Sequence, residues 1–288
     1  MHAHSKPREM GPALAGHAAW ARSDVVAGDG VRVAVFEAGT PSGEPLVLLH
    51  GIGHWTQAAW DALLPELDAY RVVAIDLPGF GESDRPDAPY DAPYYARIVE
   101  DVVEARGLGR FCLAGNSLGG MIAAQFASGH PERVAALVLI APAGFRRSPG
   151  LVVRVFGVAP LLARLRLHPP RRFVRRVMEA ATHNTRVLTD DVHDRAYRLS
   201  RDPLVARAFG RVYWNHRRVL FDMAALHARF ARYRGPVAIV WGRQDRYLPV
   251  AGIERARAVY PHATETLLDG CGHLPQVEMP ARVGAEIR

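Results

Sequence analysis

A glycine-rich stretch near the middle of the chain holds a serine in a setting that favours nucleophilic chemistry. Residues 115–120 read Gly-Asn-Ser-Leu-Gly-Gly, with Ser117 in third place. The apolar run at 111–114 predicts a short buried strand before this stretch, and residues 121–127 predict a helix after it. A serine among small residues on a tight strand-to-helix turn holds its hydroxyl clear of the sheet. We therefore expect Ser117 to be a nucleophile.

An aspartate and a histidine follow two later predicted strands. Residues 237–241 lead into Asp245, and residues 264–268 lead into His273, 28 residues after the aspartate. This spacing suits one helix, predicted at 250–260, and one strand, so both side chains should lie at the carboxyl edge of a parallel sheet. A histidine there can take the proton of the serine hydroxyl while the aspartate orients its ring. The three residues predict a catalytic triad.

The other apolar runs predict the elements that hold these residues. Strands are expected at 24–27, 31–37, 46–49, 71–75 and 134–140, and helices at 56–67 and 94–106. The turn signal Gly28-Asp29-Gly30 makes the first two strands a hairpin. Because strands then alternate with helices, we expect an α/β fold with a mostly parallel sheet that is covered on both faces.

The chain resembles the α/β-hydrolases, in particular the capped esterase, lactonase and C–C hydrolase group. The resemblance covers the chain from about residue 30 to near the C-terminus. It implies an eight-stranded sheet with an inserted helical cap, and an oxyanion hole formed by the backbone N–H groups of Ile52 and Leu118. It implies no cofactor and no metal. The matching stretches are 50–53, 76–84, 115–120, 241–249 and 270–280.

The resemblance also predicts the domain organisation. Residues 1–22 are expected to form a flexible tail, 23–141 and 233–288 the hydrolase core, and 142–232 the cap. The cap segment holds 19 arginines, no lysine and six acidic residues, a net charge of +13 within a chain whose total is +7.

Three explanations of this basic segment stay open. The chain has 35 arginines and one lysine, so the charge can reflect biased composition alone. The arginines can instead attract a carboxylated substrate or an acidic acyl carrier, or contact an anionic membrane surface. No nucleic-acid-binding motif accompanies them, and we expect no nucleic-acid partner. The oligomeric state is left open.

The predicted activity is cleavage of a carboxylic ester, lactone or thioester through an acyl-enzyme. The dehalogenases and epoxide hydrolases of this fold have an aspartate nucleophile at the position of Ser117. The resemblance therefore does not extend to them. Asn116 and the stretch 241–245 resemble the C–C hydrolases that act on meta-cleavage products, so that activity is the alternative. Against it, the oxyanion loop lacks a Gly-Pro-Gly sequence, and Leu274 replaces the tryptophan that usually follows the histidine. A non-catalytic binding protein is the outside alternative.

Several residues are candidates for contact with the substrate. The C–C hydrolases keep a cap arginine for the substrate carboxylate, and other candidates flank the oxyanion loop, the nucleophile or the histidine. They are His54, Asn116, Arg186, Arg195, Arg198, Trp214 and Leu274.

Composition limits the setting of the protein. No run of eighteen apolar residues predicts a transmembrane helix. The N-terminus lacks the apolar region of a signal peptide. The two cysteines, Cys112 and Cys271, are expected to be reduced packing residues, which favours a cytoplasmic location.

Overall fold

A single mixed sheet forms the centre of the protein. The computed structural model describes residues 20–146, 159–165, 167–219 and 222–288. Within these ranges eight strands pair in the order β1-β2-β4-β3-β5-β6-β7-β8. The strands are β1 Ala21–Val26, β2 Arg32–Gly39, β3 Glu44–Leu49, β4 Tyr70–Ile75, β5 Phe111–Asn116, β6 Val134–Ile140, β7 Val237–Gly242 and β8 Thr264–Leu268.

The sheet is antiparallel at one edge and parallel elsewhere. Strand β2 pairs antiparallel with both β1 and β4, and every later pairing is parallel. The predicted eight-stranded, mostly parallel sheet is therefore confirmed. The chain runs from β3 to β4 and then returns across β3 to β5, so the winding direction reverses between β3 and β5. A crevice at the carboxyl ends of two such strands is where open α/β sheets bind ligands.

Helices cover both faces of the sheet. Strand residues alternate between two apolar cores: Val47 packs with one and Leu48 with the other, as the two-residue period of a strand requires. The helices are α1 Thr56–Trp60, α2 Ala92–Ala105, α3 Leu118–Gly129, α4 Ala159–Arg164, α5 Arg171–Ala180, α6 Asp190–Ser200, α7 Pro203–Val219, α8 Met223–Phe230, α9 Ile253–Val259, α10 Pro275–Glu278 and α11 Pro280–Ile287.

Several predicted boundaries differ from the structure, most of all at the first helix. The helix expected at 56–67 ends at Trp60, and a short 3₁₀ turn follows at Leu64–Glu66. Pro65 explains the break, because proline has no N–H and disfavours helical backbone in the residue before it. The first strand begins at Ala21, so the tail predicted to reach residue 22 overlaps β1 by two residues.

The chain between β6 and β7 contains helices α4 to α8. Helix α8 packs on the core, because its Leu226 and Phe230 belong to the same apolar cluster as residues of α3. The predicted cap boundary at residue 232 therefore falls after a helix of the core layer. Residues 147–158 and Arg166, which the sequence placed in the basic cap, lie outside the described residues. The division into core and cap stays a prediction.

Candidate active site

Ser117 sits on a sharp turn between β5 and α3. Its backbone has φ 55° and ψ −115°, a region that non-glycine residues rarely adopt and that costs about 1–3 kcal/mol. Two backbone bonds of the neighbouring strand hold it there. The Ser117 N–H donates to the carbonyl of Ile140 at 2.9 Å, and the Ala143 N–H donates to the Ser117 carbonyl at 2.9 Å. The side chain is 7% exposed, at the carboxyl edge of the sheet.

Asp245 and His273 form a buried hydrogen-bonded pair. Nδ1 of His273 lies 2.7 Å from Oδ2 of Asp245, and neither residue is more than 5% exposed. The other carboxylate oxygen accepts the N–H groups of Tyr247 and Leu248, both at 2.8 Å. Trp241 Nε1 donates to Oδ2 at 3.1 Å. These donors compensate for burying the charge, and the Asp245 contact leaves Nε2 of His273 as the acceptor.

A side-chain contact of Asn116 holds the histidine loop next to the serine turn. The Asn116 side-chain amide donates to the carbonyls of Ile140 and His273, both at 3.1 Å. On the other side, the His273 N–H donates to the carbonyl of Ala181, just beyond α5, at 2.7 Å. The candidate triad residues therefore converge from three strand ends, as the sequence predicts.

The loop after β3 lies against the same turn. A Cβ atom added to Gly51 would lie 3.2 Å from Cβ of Ser117, so the loop approaches the serine turn closely and a larger residue would require a small shift. Ile52 follows in a turn closed by a bond from the His54 N–H to the Gly51 carbonyl at 3.3 Å. Leu118 opens α3, where the first N–H groups have no acceptor within the helix. Leu118 thus follows Ser117 directly and Ile52 follows the glycine nearest to it, and the oxyanion hole formed by their N–H groups stays a prediction.

An apolar cavity of about 150 Å³ opens against the oxyanion loop, and Ser117, Asp245 and His273 are not among the residues that line it. Ile52, Gly53 and His54 line it from the oxyanion loop, and Tyr247 lines it from the loop after Asp245. Its wall also includes apolar side chains of α4 to α7, and the described lining contains no arginine, lysine, aspartate or glutamate. The principal apolar lining residues are Phe80, Leu162, Phe173, Val174, Val177, Met178, Leu199, Val205 and Phe209.

His54 is a polar residue of the cavity wall and follows Ile52 by two positions. Its side chain is 8% exposed, and Nδ1 has no hydrogen-bond partner among the described residues. Burial lowers the pKa of His54 to about 3, and the neighbouring His50 and His273 lower it further. The imidazole is therefore neutral near pH 7 and can donate or accept one hydrogen bond within the cavity.

Other predicted substrate contacts lie away from the cavity lining. Arg186 is exposed in a 3₁₀ turn, Arg198 is exposed on α6, and Trp214 is 52% exposed on α7. Leu274 is buried and does not line the cavity itself, but it packs against Ala181 and Tyr247, which do. None of these four residues is part of the described cavity lining, and their contact with a substrate stays a prediction.

Asn116 and Arg195 are also committed to protein contacts. The Asn116 side-chain amide N–H groups donate to the backbone carbonyls of Ile140 and His273, and its contact with a substrate stays a prediction. The Arg195 guanidinium lies 3.6 Å from Glu82 and over the Trp55 ring at 4.7 Å. Burial lowers the pKa of Arg195. Neither residue is part of the cavity wall.

Sequence reasoning missed Tyr247. Its ring lies 5.2 Å from the His273 ring, its N–H holds Asp245, and its hydroxyl donates to the Val177 carbonyl of α5. Tyr247 follows Asp245 by two residues, and this position could have indicated that it belongs to the site. The cavity wall of α5 was also missed, although Val174, Val177 and Met178 recur at helical spacing.

The described residues contain no group of three histidine, cysteine or acidic side chains placed to hold a metal ion. Cys112 and Cys271 are both buried and free. In the part of the chain that the structure describes, every helix is too short or too polar to cross a membrane.

Comparison with known proteins identifies the family. A family model described as alpha/beta hydrolase fold matches residues 44–280. The 2-hydroxymuconate semialdehyde hydrolase of Pseudomonas sp. strain CF600 is 30% identical over 260 residues, covering 88% of each chain. This chain belongs to the α/β-hydrolase fold family, as its motifs predict.

Solved structures resemble it along most of its length. A variant of a meta-cleavage product hydrolase is 25% identical with a TM-score of 0.78, covering 91% of this chain and 95% of that one. A membrane phospholipase A, described as a bacterial virulence factor, is 27% identical with a TM-score of 0.76, covering 92% and 84%. The relatives thus include both C–C and ester hydrolases.

Proposed function

We propose that the protein is a serine hydrolase that cleaves carboxylic esters with an apolar acyl group. The observation that carries this proposal is the largely apolar cavity lined by Ile52, which follows the glycine that approaches Ser117, and by Tyr247, whose N–H donates to Asp245. An acyl chain in this cavity would lie against aliphatic and aromatic side chains, and burial of apolar area would supply its binding energy. Lactones and thioesters undergo the same acyl transfer and belong to the same substrate class.

In the proposed mechanism, the Ser117 hydroxyl attacks the ester carbonyl carbon. Nε2 of His273 takes the hydroxyl proton, and Asp245 stabilises the resulting imidazolium through the Nδ1 bond of 2.7 Å. The N–H groups of Ile52 and Leu118 stabilise the oxyanion. His273 then returns the proton to the departing alkoxide, which leaves an acyl group on Ser117. Water, activated by the same imidazole, hydrolyses that acyl-enzyme.

Two relatives, each 30% identical, favour the C–C hydrolase alternative. They are the 2-hydroxymuconate semialdehyde hydrolase and a protein named 2-hydroxy-6-oxo-2,4-heptadienoate hydrolase. A dienoate brings a carboxylate into the site, and a buried carboxylate needs a cationic or hydrogen-bonding partner. The described cavity wall contains no arginine or lysine, and Arg195 is already engaged by Glu82, so neutral groups such as His54 would have to hydrogen-bond the carboxylate. An ester with an apolar acyl chain fits this wall better.

A substrate panel distinguishes the two activities. We expect p-nitrophenyl esters between acetate and dodecanoate to be hydrolysed with a preference for medium chains, and a dienone carboxylate to be turned over poorly. The variant Val177→Phe, which narrows the cavity, should shift the preferred chain length downward. Faster turnover of the dienone carboxylate than of every ester would establish the C–C alternative instead.

Covalent labelling tests the nucleophile separately. A fluorophosphonate should label the wild-type protein. The Ser117→Ala variant should not be labelled, and its esterase rate should be lower by about 10³-fold or more. Ser128→Ala is the matched control, because Ser128 lies on the same helix and donates to Gln125 at 2.7 Å. Equal labelling of wild type and Ser117→Ala would exclude Ser117 as the nucleophile, whereas no labelling of the wild type would favour a binding protein.

A further inference from the structure

Helix α4 presents apolar side chains to the cavity and to solvent at once. Leu162 and Ala163 line the cavity, whereas Leu161 and Leu165 are 59% and 58% exposed. A bond from the Leu165 N–H to the Leu161 carbonyl at 3.1 Å continues the helical turn, so these two leucines lie on one outer face. A surface helix normally has a polar outer face, and the exposed leucines of α4 depart from that pattern.

Two more apolar residues connect this outer face to the cavity. Leu167 and Phe173 both line the cavity, yet they are 54% and 40% exposed. Side chains that touch the cavity and the solvent together form its mouth. Leu161, Leu165, Leu167 and Phe173 are here called the apolar rim.

Helix α5 places arginines next to the apolar rim. Val174 and Val177 line the cavity, so the helical period of 3.6 residues turns Arg172 and Arg176 to the opposite, outer face. Both arginines are exposed. Phe173 lies between these two faces, at the edge of the helix, so the arginines border the rim.

The two outer arginines differ from their neighbours on the same helix in their ion pairing. Arg171 pairs with Asp194, and Arg175 lies 2.9 Å from Glu179. Neither outer arginine lies within ion-pair distance of a described carboxylate. Their guanidinium groups are therefore available to an anionic partner, and an arginine fork suits phosphate oxygens well.

We propose that the apolar rim, Arg172 and Arg176 form a docking surface for an anionic lipid bilayer. The rim side chains enter the boundary between headgroups and acyl chains, and the arginines contact headgroup phosphates, as in other peripheral amphipathic surfaces. Docking in this orientation points the cavity mouth at the lipid. A docked protein could then take esters from the bilayer to Ser117. Only this last step rests on the proposed function.

Charge favours a lipid surface over a second copy of the chain. Residues 142–232 have a net charge of +13, so two copies that met through this segment would repel each other. An acidic protein would match the arginines. It would still have to cover four adjacent half-exposed apolar side chains, which a bilayer does without a shaped partner surface.

Vesicle sedimentation of the full chain tests this proposal. We expect binding to vesicles of phosphatidylcholine mixed with phosphatidylglycerol, weaker binding at high salt, and little binding to phosphatidylcholine alone. Arg172→Gln with Arg176→Gln should weaken partitioning by about fivefold per arginine. Leu161→Ser with Leu165→Ser should weaken it by about tenfold or more.

Matched controls separate docking from general charge and hydrophobicity. Arg110→Gln with Arg282→Gln removes the same charge at exposed sites of the core, and Val26→Ser removes an apolar side chain that is 70% exposed on β1. Both controls should bind vesicles like the wild type. Near-ultraviolet circular dichroism would show that each variant is folded.

Three outcomes would overturn the proposal. The first is equal binding to neutral and anionic vesicles, and the second is wild-type binding by both the double arginine variant and the double leucine variant. The third is binding to polyglutamate but to no vesicle, which would indicate an acidic protein partner. The Ser117→Ala variant should dock normally. Loss of esterase activity and loss of docking are therefore measured independently.

Discussion

At the scale of single residues, Asn116 distinguishes contact with the substrate from positioning of the histidine. Its amide donates to the His273 carbonyl, so a change there should act through His273. Asn116→Asp keeps the size of the side chain and replaces the donor by an acceptor that faces two carbonyls. We expect kcat to fall by about 10- to 100-fold, which corresponds to the loss of one buried hydrogen bond.

Steady-state kinetics on several esters would test this role. A positioning residue should lower kcat by a similar factor for every ester and leave KM nearly unchanged, whereas a substrate contact should raise KM. Asn184→Asp is the control, because its side-chain oxygen accepts the Arg186 N–H and a carboxylate can do the same. A rise in KM alone would return Asn116 to the substrate contacts.

At the scale of secondary-structure elements, the closeness of α3 to β3 positions the serine turn. A Cβ atom on Gly119 would overlap the Leu49 carbonyl and lie 2.7 Å from the His50 carbonyl. Gly119→Ala should therefore push the helix away from the strand. We expect a loss of about 1–3 kcal/mol in the free energy of unfolding, with a larger proportional loss of activity because Ser117 moves with the helix.

The other end of the same helix provides an opposite control. A Cβ atom on Gly129 would have no neighbour within 4 Å. Gly129→Ala should stabilise the protein by as much as about 1 kcal/mol, since alanine is the better helix former. Urea unfolding of both variants measures the contrast. Equal and small effects would show that the helix–strand contact is looser than its geometry indicates.

At the scale of the whole molecule, buried neutral histidines make stability depend on pH. The pKa of His54 falls to about 3, and burial also lowers the pKa of His50. Between pH 6.5 and 3 the unfolded chain therefore binds protons that the native protein does not. The free energy of unfolding should fall as pH decreases through this window, by about 1.4 kcal/mol per pH unit for each fully neutral histidine.

Denaturation at pH 7, 6 and 5 would isolate the share of His54. His54→Gln should lose less stability on acidification than the wild type. His183→Gln, at an exposed histidine, should follow the wild-type curve. If the His54→Gln and wild-type curves stay parallel, His54 does not contribute to the acid sensitivity of the fold.

The sequence predicts best what local chemistry determines. The serine turn follows from small residues between a strand and a helix, and Asp245 and His273 follow from loops at strand ends. The cavity could not be predicted in the same way, because Leu162, Val174 and Phe209 meet only through helix packing. Arg186 and Arg198 show the same limit. The sequence gives their charge, but it does not predict that their side chains are exposed to solvent.

The connection between β6 and β7 has a consequence for how such a protein can change over evolutionary time. These strands are parallel neighbours, with Leu137 opposite Val237, so any chain must cross over between them. Residues 141–236 enlarge that obligatory crossover, and lengthening an existing connection adds little closure entropy. Insertions or substitutions in this connection can therefore change the cavity wall while the strands that carry Ser117, Asp245 and His273 stay the same.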